Sequence, residues 1–145
     1  MKRHPALHPL SHDHHQGLIL AQQLKKGASQ YKGMPSTLEE KKNYTISFYN
    51  NELKNHFKEE EEILFPIAIR KSPEIDIMIN EIVDEHRTME KLVNEIEKTI
   101  ELENVLDEFG WLLEKHIRKE ERNLFPAIEK ILTEGDLSEL KTKLK

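Results

Sequence analysis

HFKEEEEILFP, residues 56–66, returns sixty residues later as HIRKEERNLFP, residues 116–126, with the histidine, a Glu-Glu pair, Leu-Phe and Pro at matching offsets. In both copies apolar residues recur at spacings of three and four, which predicts helix. The stripe in the first copy runs through Leu53, Phe57, Ile63, Leu64 and Ile67. In the second it runs through Phe109, Leu112, Leu113, Leu124, Ile128 and Ile131. His56 and Glu60 fall within the first stripe, and His116 and Glu120 within the second. At 1.5 Å rise per residue each pair shares one helix face, about 6 Å apart along the axis. A helix that keeps His56 and Leu64 inward cannot send Glu60 to water. A carboxylate in that position costs several kcal/mol in lost hydration unless it is neutralised, paired or bound to a cation. Glu59 and Glu62 lie off the stripe and read as solvated.

Breaks elsewhere in the chain fall at His4-Pro5, His8-Pro9, Gly33-Met34-Pro35, Ser72-Pro73 and Gly135-Asp136, and no stretch alternates like a strand. Four long helices are expected. The first starts after Pro9, with Ser11 as its cap, and runs to about Tyr31. The second starts at Ser36 or Thr37, with Glu39 and Glu40 in its first turn. The third follows Ser72 with Pro73 at its first position. The fourth begins after a turn within 101–104 and ends near Thr133 with Gly135 as its stop, followed by a short helix over 137–144. Pro66 and Pro126 lie inside helical patterns and should each remove a backbone hydrogen bond and bend the helix. Short connections favour antiparallel neighbours, so the expected fold is all-α: an up-and-down four-helix bundle forming a single domain over 1–145.

The first and third helices align as well. Asp13-His14 matches Glu85-His86, Leu10 matches Ile82, Ala21 matches Val93 and Leu24 matches Ile96. His86 lies on the stripe through Ile82, Met89, Val93 and Ile96, and His14 is its counterpart, preferred over the adjacent His15. His4, His8 and His12 read as surface residues. Measured from the helix ends, His14 lies roughly 25 Å and His56 about 30 Å from the top of the bundle, while His86 and His116 lie roughly 18 to 22 Å from it. The four imidazoles therefore approach one layer, and Met1 to Pro9 is expected to cover the end of the bundle below it.

Four imidazoles and two carboxylates in an apolar bundle outline a binuclear metal site. The donor set suits iron, manganese or zinc, and two ions sharing both carboxylates would use every ligand. Asp13 and Glu85, each preceding a histidine, are either acceptors that orient imidazoles or surface residues.

The chain has 145 residues, eight histidines, no cysteine and a formal charge of −5, with 34% of residues charged and both signs interleaved. That excludes disulfides and thiolate chemistry. With no basic stripe, nucleic acid is not expected as a partner. No apolar run is long enough for a secretory leader or a membrane span, so the expectation is a cytoplasmic protein without a membrane partner.

His14, the His56-x-x-x-Glu60 pair, His86 and the His116-x-x-x-Glu120 pair, with Leu-Phe-Pro after each paired motif, resemble the hemerythrin-like, or HHE cation-binding, family over nearly the whole chain. The resemblance implies a non-haem centre of two iron ions with an oxo or hydroxo bridge. Glu60 and Glu120 would bridge the irons, and His14, His56, His86 and His116 would be terminal ligands. Zinc and manganese are the less favoured metals. Two departures stand out: oxygen-carrying members have a further histidine where this chain has Glu90, and an aspartate five residues after the fourth-helix histidine, where this chain has Glu121. Either glutamate is thus a further candidate ligand, and reversible oxygen carriage is disfavoured. The leading expectation is a protein that binds or senses dioxygen, nitric oxide or iron, its partner being a small diatomic ligand or a metal ion. The competing readings are a di-metal enzyme with peroxidase, nitric oxide or repair activity, and a metal-free interaction module whose core histidines and glutamates pair with each other. No oligomeric state follows from the pattern.

Overall fold

The computed structural model describes residues 3–28 and 33–144. Those residues are helical between short turns, with no strand among them. Helix α1, His8–Leu24, buries Leu10, His14, Gly17, Leu20, Ala21 and Leu24 at spacings of three and four. It ends before the expected Tyr31, which lies outside the described residues. Lys25 is extended, and Gly27, at φ +74°, takes the left-handed conformation open to glycine. Ser11 is not its cap but sits inside its first turn.

Helix α2 spans 38–68. Thr37 caps it through a reciprocal capping box with Glu40. It comprises Leu38–Phe48, a wide π turn Tyr49–Leu53, Lys54–Glu59, a second π turn Glu60–Leu64, and Phe65–Ala68. Helix α3, Pro73–Lys98, places Pro73 at its start and Glu74 and Asp76 in its first turn. Arg70, in the turn before it, is held at φ +68° while its N–H donates to the Asp76 carboxylate at 2.9 Å. Helix α4 spans 102–131 and consists of Leu102–Lys119, a π turn Glu120–Leu124 and Phe125–Ile131. Helix α5, Glu134–Lys143, opens on a capping box between Thr133 and Asp136. Gly135 therefore lies inside α5 rather than stopping α4.

The pairings show antiparallel neighbours. Along α1 and α4, Arg3 meets Glu129, His14 meets Glu121 and Lys25 meets Glu114. Two glycines let these helices approach. A Cβ on Gly17 would lie 2.8 Å from Ile117 Cδ1, and one on Gly110 would lie 2.8 Å from the Ala21 carbonyl oxygen.

The interior has two apolar regions. One gathers Leu20, Leu24, Tyr49, Phe57, Met89, Val93, Phe109 and Leu113. The other gathers Leu10, Leu64, Phe65, Ile79, Ile82, Phe125 and Ile128 and is closed by Ala6 and Leu7 of a 3-10 turn, Pro5–Leu7, together with Leu137 and Leu140 of α5. The N-terminal segment thus covers that end, as expected. The expected stripes need correction past the π turns. Phe65 and Ala68 face the core while Ile63 and Ile67 are only partly buried. On α4 Phe125 and Leu132 are buried while Ile131 is 39% exposed.

Candidate metal centre

Between the two apolar regions lies a polar layer. His14 from α1, His56 and Glu60 from α2, His86 from α3, and His116 and Glu120 from α4 are all buried, the two glutamates at 0% exposure. His15 is exposed, which leaves His14 as the inward residue of that pair. Glu90 is exposed as well and takes no part in the layer.

Each imidazole aims Nε2 at a central carboxylate. The separations are 2.8 Å for His14 to Glu120, 3.5 Å for His56 to Glu60, 3.1 Å for His86 to Glu60 and 3.7 Å for His116 to Glu120. None of these contacts has hydrogen-bond geometry: all four Nε2 atoms and all four carboxylate oxygens are buried without a hydrogen-bond partner. Buried polar atoms are otherwise paired in folded proteins. Atoms about 2.1 Å from a shared ion lie about 3.0 to 3.4 Å from one another, and the four separations scatter within and on either side of that range. Two groups of four have ligand atoms within 4.8 Å of one another: His14, His56, Glu60 and Glu120, and Glu60, His86, His116 and Glu120. Both carboxylates belong to both groups. The residues present fit metal cations, and thiolate is absent from the donor set.

The outer nitrogens are organised too. Nδ1 of His14 pairs with Glu121 at 2.6 Å, that of His56 with Asp13 at 3.0 Å, that of His86 with Glu61 at 2.6 Å, and that of His116 with Glu85 at 2.8 Å. Each acceptor stands on a neighbouring helix, so α1 leans on α4, α2 on α1, α3 on α2 and α4 on α3, and the ring closes. Of the two readings left open for Asp13 and Glu85, the contacts favour the acceptor role, although each serves the histidine of another helix rather than its own neighbour. Glu121 is an acceptor for His14 here, not a member of the inner layer. Glu61 was not anticipated. Its available signal was the repeat itself, since Glu60-Glu61 and Glu120-Glu121 pair an inner carboxylate with an outer one in both copies.

Further contacts fix the acceptors. Ser11 donates to Glu121 at 2.7 Å, and Arg3 bonds the Glu121 side chain at 3.2 Å and its carbonyl at 2.7 Å. Arg87 bonds Glu61, and Lys119 bonds Glu85 at 2.6 Å. Phe57 stacks on His86 with ring centres 3.9 Å apart, and Phe125 on His14 at 5.5 Å, so apolar planes screen the layer from water.

The electrostatics follow. Burial pushes the Glu121 carboxyl up, but hydrogen bonds from His14 and Ser11 and the charge of Arg3 outweigh it and hold the pKa at about 2. Burial disfavours charge on His14, yet Glu120 and Glu121 raise its pKa to about 9. For His116 burial wins over Glu85 and the pKa falls to about 4. Burial also opposes ionisation of both central carboxyls. His56 then draws Glu60 well down, while repulsion from Glu60 leaves Glu120 well up. A layer that accommodates so little negative charge by itself gains from a bound cation.

Residues 6–128 match the family profile described as the hemerythrin HHE cation binding domain. No curated protein and no solved structure matches the chain.

Proposed function

The chain belongs to the hemerythrin HHE cation-binding family, and on that premise we propose that it holds two iron ions and binds or senses dioxygen, nitric oxide or iron. His14, His56, Glu60 and Glu120 would hold one ion, and Glu60, His86, His116 and Glu120 the other. The observation that carries this reading is the set of eight inward-facing nitrogen and oxygen atoms, buried and without hydrogen-bond partners. Removing that many polar atoms from water with nothing in return would cost several kcal/mol. Bound cations remove the cost.

The ring of outer carboxylates supports the same reading. Donation from Nδ1–H fixes each imidazole in the tautomer that leaves Nε2 free for a metal, and it raises the basicity of that nitrogen. Iron bound here would supply redox and small-ligand chemistry. Beside the layer lies a cavity of about 10 Å³ lined by Asp13, His14, His56 and His116 and by the apolar side chains of Leu53, Phe57, Leu113 and Ile117, room for about one water molecule.

Elemental analysis after anaerobic iron loading, followed by air exposure, tests the proposal. About two irons per chain are expected, with new near-ultraviolet absorption in air. His56→Ala and His116→Ala should each lower the iron content. Unchanged metal content in both variants would remove these residues from the site. Preferential retention of zinc would remove the redox reading.

A further inference from the structure

Three of the four outer carboxylates have a basic side chain of the protein as a second partner: Arg3 for Glu121, Arg87 for Glu61 and Lys119 for Glu85. Asp13 differs. Among the described residues it pairs only with His56, and its side chain is 43% exposed. The sixty-residue repeat explains the difference. Lys119 directly precedes Glu120, and the residue directly preceding Glu60 is Glu59, so the position that neutralises Glu85 carries the opposite charge beside Asp13.

Asp13 opens onto a cleft of about 350 Å³ between α1 and α2, whose lining includes His12, Gln16, Tyr44, Phe48, Glu52 and, from the central layer, His56. Sites for small organic molecules begin at roughly 300 Å³. The Tyr44 and Phe48 rings lie 6.3 Å apart and nearly parallel, an aromatic wall whose faces attract positive charge. Glu52 adds a second carboxylate. The cleft is thus acidic and aromatic, and its size suits a molecule rather than a bare ion. Of the residues that line the cleft, His56 alone belongs to the clusters of metal-ligating atoms found among the described residues.

We propose that the cleft between α1 and α2 binds a small organic cation, an alkylammonium or alkylguanidinium group, whose charge pairs with Asp13 and whose apolar part packs on Tyr44 and Phe48. The ligand supplies in trans the positive charge that Arg3, Arg87 and Lys119 supply to the other three carboxylates. The inference does not rest on which metal occupies the layer.

Calorimetric titration of the metal-loaded 145-residue chain with N-butylguanidinium, and with N-butylurea as its neutral isostere, provides the test. The guanidinium should bind at least tenfold more tightly than the urea. Glu59→Lys, which installs in α2 the charge that Lys119 provides in α4, should weaken guanidinium binding at least tenfold. Tyr44→Ala should weaken it severalfold. Metal content measured on every sample separates loss of the cleft from loss of the layer. If Glu59→Lys disturbs the metal content, Glu52→Gln, at an exposed position, takes its place with the same direction expected. Equal affinity for the urea, no detectable binding of the guanidinium, or undiminished binding in both charge variants would overturn the proposal. So would stoichiometric binding of Mg²⁺ to the cleft with no heat from the guanidinium.

Discussion

An imidazole can offer Nε2 to a cation only when the proton sits on Nδ1, so the four Nδ1 carboxylates belong to the candidate site as much as the inner residues do. Glu85 is the simplest to probe, because Lys119 holds it at 2.6 Å and His116 at 2.8 Å. Glu85→Gln keeps the shape and removes the charge. It should lower metal affinity by roughly 10- to 100-fold, read by competition with a chelator, without abolishing binding. A change of less than twofold would mean that the imidazole is held by packing against its neighbours instead. At this scale the inner residues were legible because histidine and glutamate on an apolar stripe conflict with the pattern around them. The outer roles of Glu61 and Glu121 were not read from the sequence, although the repeat pairs the two and Glu121 already stood out as a candidate ligand. Five residues after a histidine lies outside the inward face of a regular helix, and their partners sit on helices remote in sequence.

That discrepancy has its origin in the π turns. In the two that follow the paired motifs, the Phe N–H reaches back five residues, from Phe65 to the Glu60 carbonyl and from Phe125 to the Glu120 carbonyl. The extra residue moves the buried set one place along the chain. This is why reasoning at 3.6 residues per turn selected Ile63 and Ile67 where the core holds Phe65 and Ala68. The prolines follow directly, at the second position of the helix that resumes. Deleting one residue from a regular helix turns everything beyond it by about 100° and scrambles the core face. Deleting Glu62 from the π turn should instead leave both flanking faces in register, at a cost of about 3 kcal/mol from the clash that Pro66 then makes in an ordinary turn. Pro66→Ala in the same background should recover most of it in denaturant melts. If the Glu62 deletion fails to fold even with Pro66→Ala, the π turn has a role beyond accommodating the proline. Helix approach is the second lesson of this scale. Gly110→Ala sets a Cβ 2.8 Å from the Ala21 carbonyl and should cost about 1 to 3 kcal/mol by forcing α1 and α4 apart. Gly135→Ala, whose nearest neighbour is 3.7 Å away, should gain about 0.5 to 1 kcal/mol.

Across the whole molecule two apolar regions are held together through a layer of titrating groups, so stability should depend on pH in a way set by that layer. His14, raised from 6.5 to about 9, adds stability below pH 6.5 that is lost as pH rises through 9. His116, lowered to about 4, is kept neutral by folding, so its contribution is present above 6.5 and lost as pH falls through 6.5 toward 4. Glu121, lowered from 4.5 to about 2, adds a further loss in acid below 4.5. The chelated protein should therefore melt highest near pH 6.5 and lower on both sides. With metal bound, the alkaline loss should shrink, because cations take the place of protons between the carboxylates. Melting temperatures of the chelated protein that keep rising through pH 9 would contradict this assignment. The bundle was readable from its apolar periodicity and short connections, and the four histidines from their places on the apolar stripes, whereas the first helix is shorter than the depth reckoning for His14 assumed. The closed ring of imidazole–carboxylate pairs was not readable, because it is a property of packing between helices. That ring also constrains the molecule if it is divided. Cut in the α2–α3 turn, the chain yields two hairpins, each with three of the four residues of one candidate cation group and one of its two ring contacts internal. Metal capture that needs both halves would therefore report reassembly of the severed protein.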